Sequence, residues 1–237
     1  MVRGRWHLSG GTVSGGVLNW FHHQILAAGF SNFAHLLDEQ NPYEFLSREV
    51  EKSPAGSNGL VFLPYMAGER TPIWDSTARG VFLGLSYEKE RSDLVRSLME
   101  GAALALRHNL EVAADAGVRP RSLISVGGGS KSQGWCQIKA DATGMPLGVP
   151  NVQDGTVFGA AVLAGIGVQA FADYKAALKE IVKIERWHEP RPELKGLYDE
   201  LYEVYLEAYQ SLKPSLHKLA CIGVRGTCRR RHIGGNR

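Results

Sequence analysis

The sequence has few of the features that mark secreted, membrane-spanning or metal-binding proteins. Only three of its 237 residues are cysteine, and Cys136, Cys221 and Cys228 have neither metal-site spacing nor the even number of a disulfide framework. No apolar run approaches the roughly 20 residues of a membrane span. The first residues also lack the apolar segment of a signal peptide. We therefore expect a cytoplasmic protein that binds no membrane.

The sequence also lacks a strong excess of charge of one sign. Its formal net charge is +3, with 27 Lys and Arg against 24 Asp and Glu. Residues 218–237 contain six of the basic residues and no acidic one, so the rest of the chain is mildly acidic. We therefore expect no nucleic-acid partner for the body of the protein.

Residues 218–237 show neither helical nor strand periodicity. A terminal segment of this kind buries too little apolar surface to become ordered. We therefore predict one domain over residues 1–217, followed by a disordered basic tail over residues 218–237. The basic run Arg229–Arg231 leaves a nucleic-acid or membrane contact open as the alternative.

Three consecutive glycines are the most informative feature that the sequence does contain. The apolar residues 123–126 predict a strand, Gly127–Gly129 predict a turn, and helical spacing follows. The turn is not a Walker loop, because Ser130 precedes Lys131. It is also a poor dinucleotide fingerprint, because Ser132 occupies the position of the third glycine. From these residues alone, a nucleotide contact and a plain tight turn both remain open.

The remaining pattern alternates short apolar strands with amphipathic helices, which predicts an α/β domain with a small mixed sheet flanked by helices. Ser92 and Gly117 are the predicted caps of the longest helix, and a long irregular loop is predicted over residues 64–79. The predicted strands cover residues 60–63, 80–85, 123–126 and 146–149, and the predicted helices cover residues 17–26, 31–53, 92–116, 133–143, 154–165, 173–183 and 191–212.

Two segments resemble the C-terminal signature of the FGGY carbohydrate kinases. The segment Gly80–Leu85, followed after seven residues by Asp93–Glu100, fits that signature across 21 residues. The preceding loop residues 68–80 resemble the loop before the signature, above all in xylulokinase-like members. The turn Gly127–Gly129 resembles the family's adenosine motif, and Thr156–Ala161 resemble its second connecting helix.

The resemblance implies a ribonuclease-H-like lobe of the actin/hexokinase/Hsp70-type ATPases, which binds ATP and Mg²⁺ and serves the phosphorylation of a sugar hydroxyl. By analogy, Gly128, Gly129 and Gln133 would contact the nucleotide. Gly15, Gly16 and Asn19 would line its other side. The two glycines of the second group could instead simply open a helix, and Gln133 could face solvent. Lys131 is expected to be an exposed cation beside the turn.

The resemblance covers only the ATP side of such a kinase. We find no acidic base for the sugar hydroxyl and no Asp-x-Gly-Thr phosphate loop, because Asp154-Gly155-Thr156 opens a predicted helix late in the chain. Residues 1–217 therefore correspond to the C-terminal, nucleotide-binding lobe, with no metal site of their own. We expect a lobe that is inactive without the missing N-terminal lobe and that can pair as a homodimer. A non-catalytic nucleotide-binding or regulatory half-kinase module is the alternative.

Overall fold

The computed structural model describes residues 15–26, 42–152 and 154–233. It contains seven α-helices and five strands within those ranges. The helices are α1 (Gly15–Phe21, continued by a π-helical turn His22–Leu26), α2 (Pro42–Lys52), α3 (Arg91–Asp115), α4 (Gln133–Thr143), α5 (Gly155–Gly167), α6 (Tyr174–Ile181) and α7 (Lys195–Ile233). The strands are β1 (Val61–Leu63), β2 (Val81–Leu83), β3 (Leu123–Ile124), β4 (Leu147–Pro150) and β5 (Ile184–His188).

The strands form two separate sheets. β1 and β2 pair in antiparallel fashion, with Phe62 opposite Phe82. β3, β4 and β5 form a mixed sheet with β4 at its centre, because β4 is parallel to β3 and antiparallel to β5. The predicted combination of a small mixed sheet with flanking helices is confirmed.

Helix α3 lies at the centre of the core and contacts α1, α2, α4, α7 and β1. Val95, Leu98 and Met99 on this helix are at most 1% exposed. A side chain at Gly101 would lie 2.3 Å from the carbonyl oxygen of Phe62. The helix therefore packs directly on the backbone of β1, and this close approach explains a glycine in the middle of a long helix despite its low helix propensity.

A buried ion pair joins the elements around α3. Arg96 Nε donates to Glu100 Oε1 at 2.8 Å, and the other oxygen of Glu100 accepts from the Ser57 hydroxyl at 2.7 Å. Tyr198 of α7 donates to the same carboxylate. Arg96 also donates to the carbonyl oxygen of Ser53 at 3.0 Å. The pair therefore forms hydrogen bonds with Ser53, Ser57 and Tyr198, which lie in three other parts of the chain.

The loop over residues 64–79 is irregular, as predicted, and it is anchored to α7. The hydroxyls of Tyr65 and Tyr205 are 2.5 Å apart. Asp75 Oδ2 accepts from the Tyr209 hydroxyl at 2.8 Å and lies 2.7 Å from His217 Nε2. Its other oxygen accepts from the Thr77 hydroxyl and amide. Burial alone would raise the pKa of Asp75, but these hydrogen bonds outweigh it and hold the pKa well below its usual range.

Several predicted boundaries are wrong. The cap of α3 is Glu90, which forms a capping box with Asp93, so Ser92 lies inside the helix. The end of α3 at Gly117 is confirmed, since its amide and that of Val118 close a Schellman motif. Of the predicted helix over residues 31–53, residues 31–41 lie outside the described ranges.

The last third of the chain differs most from the sequence-based expectation. β5 is an additional strand, and its neighbour α7 begins at Lys195 and continues to Ile233, beyond the predicted end at residue 212. Residues 218–233 are therefore helical in the structure, where a disordered tail is predicted. Leu216 beyond Pro214 is buried, which gives the helix tertiary support after that proline. The division of the chain into a lobe and a tail at residue 217 stays a prediction.

Candidate nucleotide site

The glycine turn lies at the carboxyl edge of the mixed sheet. β3 and β4 are parallel, so the turn that follows β3 and the loop that follows β4 emerge at the same edge. The two connections touch, because a side chain placed on Gly155 at the start of α5 would lie 3.5 Å from Val126 Cγ2. Crevices at the carboxyl ends of adjacent parallel strands are common ligand sites in α/β proteins.

Hydrogen bonds hold the turn in one shape. Gly127 has φ 81° and ψ −168°, a combination that only glycine adopts without strain. Its carbonyl oxygen accepts from both the amide and the hydroxyl of Ser130, at 3.1 and 2.7 Å. Arg186 of β5 donates to the carbonyl oxygen of Ser130 at 3.2 Å. The turn is therefore fixed before any ligand arrives.

The two predicted contact glycines differ in their surroundings. Gly128 is exposed, and a side chain added there would meet nothing within 4 Å. A side chain on Gly129 would lie 3.0 Å from the ring of Trp135. Gly128 thus offers open backbone to a ligand, whereas Gly129 is also needed for packing against the first turn of α4.

Helix α4 begins directly after the turn. The hydroxyl oxygen of Ser132 accepts from the amide of Trp135 at 3.2 Å and so caps the helix. Ser47 of α2 donates to the same oxygen at 2.8 Å. Gln133, the first residue of α4, is exposed next to the open turn. Its predicted contact with a nucleotide stays a prediction.

The other predicted group lies on α1. Gly15 is the first residue of this helix, and Gly16 and Asn19 lie on its exposed side. Val17, Leu18 and Phe21 on the opposite side are buried. α1 packs on α3, as α4 does. The structure thus places both predicted groups on helices that share one support, and the roles of Gly15, Gly16 and Asn19 stay predictions.

Asp154 contributes a carboxylate at the edge of the site. Its Oδ1 accepts from the amides of Thr156 and Val157 at 3.1 and 3.0 Å, so it is the N-cap of α5. The segment Asp154-Gly155-Thr156 therefore opens a helix, as predicted, and is no strand-borne phosphate loop.

The turn fits a nucleotide better than it fits a bound metal. It combines open backbone at Gly128 with the free amides of a helix start, which suit an anionic ligand. Within residues 15–26, 42–152 and 154–233, no three His, Cys, Asp or Glu side chains come together as metal ligands.

Sequence reasoning missed a group of cations around the turn. Lys139 of α4 lies 3.3 Å from the Ser125 hydroxyl and 4.5 Å from the centre of the Trp135 ring. Arg186 reaches the turn from β5, a strand that was not predicted. Burial lowers the pKa of Lys139. The available signal was the spacing of four residues between Trp135 and Lys139, which puts both on one helix face.

A comparison with known protein families places these residues in context. The model of the FGGY family of carbohydrate kinases, C-terminal domain, matches residues 1–168. Xylulose kinase of Staphylococcus epidermidis is 34% identical over 190 residues, which cover 79% of this chain and 38% of that protein. The chain therefore spans about two fifths of the length of the curated relatives it matches.

Solved structures agree with this match. Ligand-bound xylulose kinase from Lactobacillus acidophilus superposes with a TM-score of 0.72 at 28% identity, covering 86% of this chain and 39% of that one. Plasmodium falciparum glycerol kinase with ADP gives a TM-score of 0.61 at 25% identity, covering 77% and 36%. The predicted fold class, a lobe of the actin/hexokinase type, is confirmed.

Proposed function

The chain belongs to the FGGY family of carbohydrate kinases, and from this premise we propose that it is the ATP-binding lobe of a sugar kinase. The kinase transfers the γ-phosphate of ATP to a hydroxyl of a pentulose such as xylulose, or of a related polyol. Xylulose is taken from the names of relatives, since no residue of this chain is assigned to the sugar.

One observation carries the ATP-binding part of the proposal. The rigid glycine turn after β3 presents the open backbone of Gly128 beside the start of α4, at the edge where β3 and β4 end. A ligand phosphate or ribose can approach such backbone to hydrogen-bonding distance because no side chain intervenes. Gln133 offers an amide at the same helix start.

Phosphoryl transfer depends mainly on positioning and on neutralising charge. Mg²⁺ bound with ATP supplies charge neutralisation in such reactions. The described residues supply the nucleotide side of this arrangement, and neither metal ligands nor an acidic base for the sugar hydroxyl is assigned among them. We therefore propose that the 237-residue chain binds nucleotide but needs an N-terminal lobe for turnover.

The exposed surface of α5 supports a partner lobe. Val157 and Leu163 on this helix and Val168 at its C-cap are 65–78% exposed. Large exposed apolar side chains on one element favour an interface with another polypeptide surface. We propose that the partner is the N-terminal kinase lobe, and that a homodimer forms through the same surface when the lobe is absent. None of the described helices is both long and apolar enough to cross a membrane. The cytoplasmic location expected from the sequence stays a proposal.

A coupled assay of ADP release tests this function. The chain is mixed with ATP, Mg²⁺ and D-xylulose, alone and together with the N-terminal lobe of a xylulose kinase relative. We expect turnover only in the mixture. Turnover by the chain alone overturns the proposal that the chain needs an N-terminal lobe. Nucleotide binding without turnover in any mixture favours the alternative, a non-catalytic regulatory half-kinase module.

A further inference from the structure

A cavity of about 310 Å³ lies beside the glycine turn. It is a half-open pocket lined mainly by residues of α3, β3 and α4. Most of its wall is apolar, but a hydroxyl and an ammonium group also line it. Its lining includes Ser125 of the turn after β3 and both Trp135 and Lys139 of α4.

Lys139 is the cation of this cavity, and it has no carboxylate partner within residues 15–26, 42–152 and 154–233. Its Nζ lies 3.3 Å from the Ser125 hydroxyl and 4.5 Å from the centre of the Trp135 ring. Burial lowers the pKa of Lys139, as expected for an ammonium group that loses water without gaining a counter-charge. A bound anion would remove this penalty.

The ammonium group lies directly against the predicted nucleotide turn. A side chain on Gly129 would lie 3.5 Å from Lys139 Nζ. The other titratable groups near Lys139 and the turn are Lys131, Cys136, Arg186, His188 and Asp154. Burial raises the pKa of the Cys136 thiol, and burial together with the neighbouring cations lowers the pKa of His188. Asp154 lies at the edge of the site, where its Oδ1 accepts from two amides of α5 and forms no ion pair with Lys139.

We propose that Lys139 and the Ser125 hydroxyl form a phosphate subsite that holds a phosphate group of the bound nucleotide. This inference rests on the proposed function, because the turn supplies the rest of the nucleotide site. The ammonium group donates to phosphate oxygens as a point charge, and Ser125 adds a hydroxyl donor at the carboxyl end of β3. Lys131, which immediately follows the turn, is exposed and takes no part in this subsite.

Calorimetric titration of the full chain with ADP and with adenosine tests the subsite. Lys139→Met keeps an unbranched side chain that is one atom shorter and removes its charge, and Lys131→Met is the matched control. We expect Lys139→Met to weaken ADP binding by roughly 10- to 100-fold, the loss of one charge-assisted contact. Its adenosine affinity stays within about twofold of wild type, and Lys131→Met changes neither affinity beyond that range. Equal losses for ADP and adenosine, or no loss of ADP affinity, overturn the subsite.

Proton uptake on ADP binding distinguishes a direct phosphate contact of Lys139 from a purely structural role of this residue. Because the pKa of Lys139 is lowered, part of its population is neutral at alkaline pH, and phosphate binding favours the charged form. Titrations at pH 9 in two buffers of different ionisation enthalpy should show proton uptake with ADP in wild type. Uptake should vanish in Lys139→Met and persist in Lys131→Met. Lys139→Arg should restore part of the ADP affinity without proton uptake, because its guanidinium stays protonated at this pH. Identical uptake in wild type and Lys139→Met contradicts the assignment.

Failure of the subsite and failure of the proposed function give different results. If wild type binds ADP no more tightly than adenosine, the nucleotide site stands and the subsite is wrong. If wild type binds neither, the proposed function fails, and inorganic pyrophosphate then tests the subsite directly. Pyrophosphate binding that Lys139→Met abolishes supports an anion site in this cavity, and no binding overturns it.

Discussion

Gly127 and Gly128 are neighbours with different backbone conformations, and the effect of this difference on stability can be measured. A methyl group would meet nothing within 4 Å at either position, so steric clashes do not distinguish them. Only Gly127 has a positive φ that other residues avoid. Gly127→Ala should lower the free energy of unfolding by about 1–3 kcal/mol through backbone strain alone. Gly128→Ala should change it by less than about 0.5 kcal/mol. Urea denaturation of both variants compares them, and equal losses would contradict the strain argument.

The buried ion pair around α3 makes a second prediction at this scale. The Arg96 and Glu100 side chains are 9% and 4% exposed. Glu100→Gln leaves the Arg96 guanidinium without its counter-charge in the core, and we expect a loss of about 3–5 kcal/mol. The control is Glu111→Gln on the same helix, because the Glu111 side chain is 49% exposed. That change should cost less than about 1 kcal/mol. If the denaturation midpoints of both variants move equally, the buried ion pair contributes no more to stability than the exposed one.

Asp75 predicts how stability depends on pH. Its hydrogen bonds hold its pKa well below the usual range despite burial, so the folded state favours the carboxylate. The stabilisation is therefore present above the unfolded pKa of about 4 and declines as the pH falls below it. Asp75→Asn should cost about 1–3 kcal/mol at pH 7. The gap between variant and wild type should narrow between pH 4 and pH 2. A gap that stays constant down to pH 2, measured by urea denaturation, argues against this role.

At the scale of single elements, the start of α5 connects the sheet edge to the exposed apolar helix. Asp154→Ala removes the cap of α5 and should cost about 1 kcal/mol, whereas Asp154→Asn retains most of the cap. Hydrogen exchange of the α5 amides measures the effect locally. Faster exchange in the alanine variant alone is expected. Unchanged exchange in both variants would mean that neighbouring contacts, rather than the cap, hold the helix end.

The elements that sequence reasoning found share a clear periodicity or an explicit boundary signal. The spacing of Leu94, Leu98 and Ala102 and the end signal Gly117 identified α3, and the apolar run before Gly127 identified β3. β5 was missed because Ile184–His188 contains only two aliphatic or aromatic residues among charged ones. In the structure, exposed and half-buried residues alternate along this strand, but the residue types do not follow that alternation. The end of α7 was missed because contacts far away in the sequence, such as that of His217 with Asp75, support it.

In the candidate site, too, local features could be predicted from the sequence, whereas contacts between distant elements could not. The glycine turn was predicted because local sequence determines a turn, whereas the contact of Gln133 with a nucleotide was inferred from the resemblance to a known family and stays a prediction. The resemblance to a known family, rather than periodicity, singled out Gly15, Gly16 and Asn19. The relation of Lys139 to the turn could not be predicted, because it depends on how α4 packs against β3 and α3. The spacing of four residues from Trp135 places Lys139 on the same face of α4 but does not show what this lysine contacts there.

At the scale of the whole molecule, the chain corresponds to about two fifths of its curated relatives. Its core around α3 is complete enough to fix the glycine turn, whereas α5 exposes apolar side chains. We interpret this contrast as a nucleotide-binding lobe that folds around its own core and meets the sugar-binding lobe through α5. The phosphate subsite at Lys139 would then lie on the nucleotide side of the joined lobes.

Calorimetric titration of the chain with ADP, compared with the Gly128→Ala variant, tests the central claim most directly. The variant keeps the stability of the turn but places a methyl group where the nucleotide would approach the backbone. We predict saturable one-site binding to wild type and at least roughly tenfold weaker binding to the variant, the loss of one good polar contact. Absence of ADP binding to the folded wild type, or equal affinity in both proteins, would contradict the assignment of the glycine turn as the nucleotide site.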